Sequence, residues 1–269
     1  MNINRNTPVF YINLDDNVTR NKSMLKTLHR YDFKNIVRVP GINTKTIEKV
    51  DEYKNIIDED AYDKLVENNR LKQRTNHYEL TNGSIGCYLS HMNIYEHIVK
   101  NNIDYALIFE DDCSIASDPT YFWEKMESLK IPDNADIFLL NAVLLEEGLK
   151  DEISKILFFF CLHSYVITKE GAKKVLDNLL PITMQIDSIL SRLAYENKIT
   201  IYALIKNDLK IKQDNQGFTN IQTLGCDNCN IATEIYKYID DIKPDKNNGK
   251  YYVVIIIIII IIIGFIYYK

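Results

Sequence analysis

Short apolar runs alternate with amphipathic segments along most of the chain. The runs at 9–14 and 106–109 are apolar enough to form buried strands. Between them, residues 18–31 carry apolar side chains at helical spacing. Further strand-like runs lie at 36–39, 135–140, 156–161, 165–167 and 199–205, and helical patterns at 84–100 and 169–179. This order predicts an α/β protein with a mostly parallel central sheet flanked by helices.

The strand at 106–109 ends abruptly in Glu110, Asp111 and Asp112. Carboxylates are rarely buried without a partner, so we expect the strand to deliver them to a crevice. In open α/β sheets, ligands bind at the carboxyl ends of the strands. Such a group can share one Mg²⁺ or Mn²⁺, and that cation could hold a diphosphate. The alternative is an acidic turn that only ends a strand, and the triplet alone leaves both open.

The first strand ends at Asn13, and the following helix carries Arg20. A strand-to-helix turn with a polar side chain at its rim is a common place to hold a nucleotide. An ordinary first βα unit, with Arg20 as a solvated charge, fits the same pattern.

Two further regions contain candidate functional residues. Ser84, Cys87 and His91 fall on one face of the helix predicted at 84–100, and Gly86 there favours close approach of another backbone or a ligand. This face is a candidate ligand wall, although a lone helical histidine is more often structural. Asp187 lies in the segment 185–188 that opens a later helix, and it is either the N-cap of that helix or a functional carboxylate.

Composition narrows the partners and the compartment. The net charge is −5 and no basic stripe is visible, so nucleic acid is not an expected partner. The N-terminus lacks the apolar core of a signal peptide. The five cysteines are odd in number and sparse, which favours reduced thiols in the cytosol. The pair at 226 and 229 is interpreted as an incidental feature of a linker.

Residues 251–268 form an uninterrupted apolar run that contains nine consecutive isoleucines. Its length meets the usual threshold for a membrane-spanning helix, and tyrosines occupy both of its ends. We therefore expect a catalytic domain at 1–224, a polar linker at 225–250 and a C-terminal, single-pass membrane anchor at 251–268. Lysines before the run favour a cytoplasmic location for the main domain.

These pieces together resemble glycosyltransferase family 25, which includes bacterial lipooligosaccharide and procollagen galactosyltransferases. The likeness spans about Pro8 to Ile221. It rests on an ordered set of motifs, namely Tyr11-Ile12-Asn13-Leu14 with Arg20, the Gly-Cys-x-x-Ser-His helix, the strand ending in Glu-Asp-Asp, and the block from His163 to Ile167 followed by Ile186-Asp187.

The resemblance implies a GT-A fold, a UDP-sugar donor and a divalent metal, usually Mn²⁺. It implies transfer of galactose or another hexose to a glycan or protein hydroxyl, with inversion. On this hypothesis Asp112, assisted by Glu110, holds the metal on the donor's diphosphate. Asp111 could reach the ribose, and Asn13 and Arg20 lie near the nucleotide.

An inverting transfer needs a base for the acceptor hydroxyl. Asp187 is our first candidate and His91 the second. One departure from the family stands out, because Ser84 replaces the glutamate that usually precedes Ile-Gly-Cys. This departure supports the alternative that the chain is an inactive, membrane-tethered binding protein. A metal-dependent phosphotransferase lacks support, since no Walker-type loop is present.

Overall fold

The computed structural model describes residues 1–146, 148–213 and 221–228. Its centre is a seven-stranded sheet with the order β2-β1-β4-β10-β6-β11-β8. The strands are β1 (Val9–Asn13), β2 (Ile36–Pro40), β3 (Gln73–Asn76), β4 (Tyr105–Glu110), β5 (Cys113–Ile115), β6 (Ile137–Leu139), β7 (Val143–Leu144), β8 (Ile153–Ile156), β9 (Phe159–Phe160), β10 (Ser164–Thr168), β11 (Ile201–Leu204), β12 (Ile211–Gln213) and β13 (Gly225–Asn228).

Most strands of the central sheet run in one direction. Strands β2, β1 and β4 are mutually parallel, β6 and β11 share their direction, and β10 and β8 run against it. The predicted α/β class with a mostly parallel sheet is therefore confirmed. The single strand predicted at 156–161 is wrong. The chain leaves the central sheet after β8, and β9 pairs with β7 instead.

Helices cover both faces of the sheet. They are α1 (Val18–Arg30), α2 (Ile47–Asp51), α3 (Glu59–Leu71), α4 (Asn82–Lys100), α5 (Pro119–Ser128), α6 (Lys169–Leu176) and α7 (Ile186–Tyr195), with a short 3₁₀ helix at Lys54–Ile56. Because side chains alternate along a strand, Ala106 and Ile108 of β4 pack into the core beneath α4, α6 and α7. Leu107 and Phe109 pack into a second core beneath α1 and α5.

The start of α4 is fixed by its own side chains. Thr81 is the N-cap, and its hydroxyl accepts a hydrogen bond from the Ser84 backbone N–H, while Ser84 Oγ accepts one from the Thr81 N–H. This reciprocal pair is a capping box. One turn later, a Cβ added to Gly86 would lie 2.6 Å from Thr44 Oγ1 and closer still to the Ile42 carbonyl oxygen. The predicted close approach at Gly86 is therefore confirmed, with backbone as the neighbour.

The predicted membrane anchor at 251–268 and most of the predicted linker lie outside the described residues. Within the described residues, no helix combines the length and the apolar character needed to cross a membrane. The first linker residues, 225–228, form β13, which pairs with β3. Cys226 is disulfide-bonded, contrary to the expectation of reduced thiols, whereas Cys87, Cys113 and Cys161 are free.

The Gly86→Ala variant should lose about 1–3 kcal/mol of unfolding free energy, because its new methyl group has no space beside the backbone of residue 42. Urea unfolding at neutral pH measures this loss. Glu96→Ala, on the exposed side of the same helix, is the matched control and should change stability by less than about 0.5 kcal/mol. Equal stabilities for the two variants would contradict the close contact.

Candidate functional site

The carboxyl ends of β1 and β4 meet at a cleft. The two strands are parallel neighbours with Ile12 opposite Glu110, so the residues that follow lie side by side. The cleft encloses about 660 Å³, including its open mouth. Among the described residues, its polar and charged lining consists of Asn13, Arg20, Asn43, Thr44, Lys45, Ser90, Glu110, Asp111, Asp112 and Gln213. The carboxylates at the end of β4 thus face one hollow together with Asn13 and Arg20.

Asp111 is held from two sides. Its Oδ2 accepts a hydrogen bond from Asn13 Nδ2 at 2.6 Å, and its Oδ1 accepts one from Arg20 Nη1 at 3.2 Å. Burial raises the pKa of Asp111, although Asn13 and Arg20 oppose that shift. These contacts fix the orientation of the Asp111 carboxylate at the wall of the cleft.

Arg38 is a member of this network that sequence reasoning missed. Asn13 is 1% exposed, and its Oδ1 accepts a hydrogen bond from Arg38 Nε at 2.9 Å. Arg38 Nη2 also donates to the Asn13 carbonyl at 3.1 Å and to Asp15 Oδ1 at 2.6 Å. The available signal was one arginine inside the otherwise apolar β2. Asn13 therefore acts as a bridge between Arg38 and Asp111.

Asp112 is the least satisfied carboxylate of the three. Its Oδ2 accepts a hydrogen bond from Gln213 Nε2 at 3.2 Å and lies 3.7 Å from Arg20 Nη1. Its Oδ1 is buried and has no hydrogen-bond partner within the described residues. Burial, reinforced by the charge of Glu110, raises the pKa of Asp112 to about 7. A buried carboxylate oxygen without a donor is suited to a hard divalent cation.

Glu110 is supported from behind by the helix α4. Its Oε1 lies 3.2 Å from His91 Nε2 and accepts a hydrogen bond from the Cys87 thiol at 3.7 Å. Burial alone would raise the pKa of Glu110. The hydrogen bonds from His91 and Cys87 and the charges of His91 and His163 together outweigh burial, so the pKa lies below its usual value. Glu110 therefore remains a carboxylate in a largely dry site.

His91 lies behind Glu110 and, unlike Cys87, is absent from the described lining of the cleft. It is 0% exposed, and its Nδ1 lies 2.8 Å from the Tyr165 hydroxyl. That hydroxyl lies in turn 2.7 Å from the Tyr95 hydroxyl. On the predicted ligand wall of α4, Cys87 thus lines the cleft, whereas His91 lies behind Glu110 and supports it.

The structure does not bring Asp187 into the cleft lining formed by the described residues. The N-cap of α7 is Gln185, so the interpretation of Asp187 as the N-cap is wrong. Asp187 is 8% exposed, and its two oxygens accept hydrogen bonds from the backbone N–H groups of Cys161, at 3.1 Å, and Ser188, at 2.8 Å. Burial and then the charge of Asp187 raise the pKa of Cys161 to about 12.

Comparison with known proteins identifies the family. A family model described as glycosyltransferase family 25 (LPS biosynthesis protein) matches residues 6–190. The chain belongs to glycosyltransferase family 25. It is 33% identical over 117 residues to a glycosyltransferase 25 family member of Anopheles gambiae and 29% identical over 147 residues to one of Drosophila melanogaster.

A bovine relative, named "Probable inactive glycosyltransferase 25 family member 3", is 30% identical over 108 residues. These three matches cover 38%, 49% and 36% of this chain, respectively for Anopheles, Drosophila and Bos taurus. They cover only 19%, 23% and 18% of the relatives. The chain therefore aligns with about a fifth of each of these longer proteins.

Asp112→Asn should stabilise the metal-free protein at pH 8, because it removes a buried charge whose pKa is raised to about 7. With a raised folded-state pKa, the wild-type protein loses stability as the pH rises from about 4 through 7. The gain in unfolding free energy should be on the order of 2 kcal/mol at pH 8 and should shrink toward pH 5. Urea unfolding in EDTA at both pH values measures it. A variant that is less stable than wild type at pH 8 would contradict the unsatisfied carboxylate.

Proposed function

We propose that this protein is a metal-dependent, inverting glycosyltransferase that transfers galactose or another hexose from a UDP-sugar to a hydroxyl of a glycan or protein acceptor. The observation that carries the proposal is the buried Asp112 oxygen beyond the end of β4, which lines the cleft and has no hydrogen-bond partner among the described residues. Family membership supplies the reaction class, and the cleft supplies a place for it.

Asp112 and Glu110 are the residues that would hold Mn²⁺ or Mg²⁺. Both carboxylates line the cleft, and the raised pKa of Asp112 reports negative charge that lacks compensation. When bound, a divalent cation offsets the negative charge that develops on a departing diphosphate. Glu110 has a lowered pKa and is ionised at neutral pH, whereas Asp112, with a pKa of about 7, would release the rest of its proton when a cation binds.

The remaining polar side chains of the cleft would bind the nucleotide and its phosphates. Arg20 and Lys45 bring positive charge to the same hollow, although Arg20 also pairs with Asp111 and Lys45 with Asp16. Both amide hydrogens of Asn13 are already donated, to the Asn17 carbonyl and to Asp111, so we assign Asn13 mainly to the orientation of Asp111. Asp111, held by Asn13 and Arg20, is then the candidate partner for the ribose hydroxyls.

Asp187 remains our first candidate for the base that takes the acceptor's proton. Its carboxylate is oriented by two backbone N–H groups, and its charge acts on Cys87 at the cleft. His91 is less suited to this role, because both of its ring nitrogens are engaged and its side chain is buried.

The alternative of an inactive binding protein is motivated by Ser84 and by the name of the bovine relative. The capping box gives Ser84 a structural explanation. Glutamate is the usual partner at this third helical position, and Ser84 makes the same hydrogen bond to the N-cap backbone. The departure from the family is therefore compatible with activity. We also propose that residues 251–268 anchor the protein in a membrane and that residues 1–224 lie on the cytoplasmic side.

Asp112→Asn should lower metal-dependent release of UDP from UDP-sugars by about 10²-fold or more, because it removes one charged oxygen from the cation. A screen of UDP-sugars with Mn²⁺, with Mg²⁺ and with EDTA measures this release. Asp133→Asn replaces an exposed aspartate and is the matched control, which should keep wild-type turnover. Equal turnover in the two variants, or turnover that survives EDTA, would refute the metal-dependent reaction.

Asp187→Asn tests the base separately. The amide oxygen can still accept one of the two backbone hydrogen bonds, so we expect the fold and the binding of UDP to survive. Transfer to an acceptor should fall by about 10²-fold or more. Calorimetric titration with UDP and Mn²⁺ checks binding in the same preparation. Retained transfer would remove Asp187 from the mechanism, and transfer and UDP binding lost together would point to a structural role.

A further inference from the structure

A cysteine, a histidine and a glutamate converge beneath the cleft floor. Cys87 and His91 are four residues apart on α4 and so share one face of that helix. Glu110 reaches them from the end of β4. One ligand atom from each side chain, namely a sulfur, a ring nitrogen and a carboxylate oxygen, lies within 4.8 Å of the other two. These atom types are ones that bind zinc and related transition metals.

The distances from the Glu110 oxygen to the other two ligand atoms are close to those in a zinc coordination sphere. Tetrahedral Zn²⁺ with ordinary bonds to sulfur, nitrogen and oxygen places neighbouring ligand atoms about 3.3–3.6 Å apart. In this protein, Cys87 Sγ lies 3.7 Å from Glu110 Oε1, and His91 Nε2 lies 3.2 Å from the same oxygen. Hydrogen bonds thus already hold the three side chains near the spacing that a metal would require.

The histidine is also oriented as a metal ligand should be. Histidines that bind metals usually form a hydrogen bond through their other ring nitrogen, which fixes the tautomer. His91 Nδ1 lies 2.8 Å from the Tyr165 hydroxyl, which lies 2.7 Å from the Tyr95 hydroxyl. The side chains of His91, Tyr165 and Tyr95 are all buried. His91 Nε2 is therefore aimed at Glu110 by a rigid support.

We propose that Cys87, His91 and Glu110 form a binding site for Zn²⁺, with the fourth coordination position open to the cleft. Sulfur and imidazole ligands favour Zn²⁺ over Mg²⁺ and Mn²⁺, which favour oxygen. The site is therefore chemically distinct from the oxygen site at Asp112. Cys87 and Glu110 both line the cleft, which gives a metal ion a route of entry.

Charge balance favours a cation at this place. Zn²⁺ binding breaks the S–H bond and forms a Zn–S bond. His91 Nε2, which donates to Glu110 in the metal-free protein, must also give up its hydrogen to bind the metal, while Nδ1 carries a hydrogen toward the Tyr165 hydroxyl. The displaced protons that the histidine does not retain on Nδ1 pass to solvent. The thiolate and Glu110 then together cancel the two charges of the metal. A neutral complex suits a buried site.

Occupancy of this site would withdraw Glu110 from the donor's cation. Zn²⁺ should therefore inhibit transfer even when Mn²⁺ is in excess, and this consequence rests on the proposed function. The zinc site itself does not, since its ligands and their spacing are independent of any UDP-sugar. The two ideas can fail separately.

The decisive experiment uses Co²⁺ as a spectroscopic substitute for Zn²⁺ on the full chain without reductant, so that Cys226 stays in its disulfide. One equivalent of Co²⁺ should produce a near-ultraviolet thiolate-to-metal charge-transfer band, and one equivalent of Zn²⁺ should abolish it. The band should fall at least tenfold in Cys87→Ser and persist in Cys161→Ser, which removes another free thiol.

X-ray absorption of the zinc-loaded wild-type protein needs no variant and should show one sulfur among the ligands. Absence of the Co²⁺ band in the wild-type protein, or its loss in Cys161→Ser rather than Cys87→Ser, would overturn the site. If the band behaves as expected but no UDP-sugar is ever turned over, the proposed function fails and the zinc site stands. Turnover that is indifferent to one equivalent of Zn²⁺ would overturn the inhibition alone.

Discussion

The parallel pairing of β1 with β4 is the constraint on which the site depends. It places Ile12 opposite Glu110. The next residues are therefore neighbours, and Asn13 Nδ2 donates a hydrogen bond of 2.6 Å to Asp111 Oδ2. The pairing requires no charged contact of its own, because apolar side chains of both strands fill cores on either face of the sheet. Hydrophobic burial thus positions a polar site that would be unfavourable to assemble from its own interactions.

The three carboxylates at the end of β4 are stabilised unequally. Asp111 has an amide and a guanidinium as partners, Glu110 has an imidazole and a thiol, and Asp112 keeps one buried oxygen unpaired. Of the three carboxylates, Asp112 therefore has the fewest hydrogen-bond partners and is the one suited to an external cation. Burying the ionised Asp112 without a full set of partners costs free energy, and on the proposed function a bound cation would offset that cost.

The sequence could predict the fold where a local pattern determines it. Apolar runs indicated the strands of the core. The acidic triplet after Phe109 indicated the cleft, because three consecutive carboxylates are rarely buried in an apolar core. Gly86 was likewise informative, since its missing side chain marks a contact between backbones. Each of these inferences rests on one residue type and its immediate neighbours.

Pairings between distant segments were not predictable in this way. Arg38 reaches Asn13 from the edge strand, and Gln213 reaches Asp112 from β12, across 101 positions. The break between β8 and β9 depends on which strand each one pairs with, a tertiary choice that the run at 156–161 does not encode. The N-cap of α7, which is Gln185 rather than Asp187, is a similar case, because Gln185 is held by the carbonyls of His77 and Glu79.

The bridge from Arg38 through Asn13 to Asp111 links the hollow to the outermost strand of the sheet. That strand has a partner on one side only within the central sheet, and its arginine is the polar tie between it and the acidic residues. Binding of a ligand at Asp111 should therefore also restrain β2. Slower deuterium uptake by the amides of β2 would make that peripheral strand a reporter of whether the interior is filled.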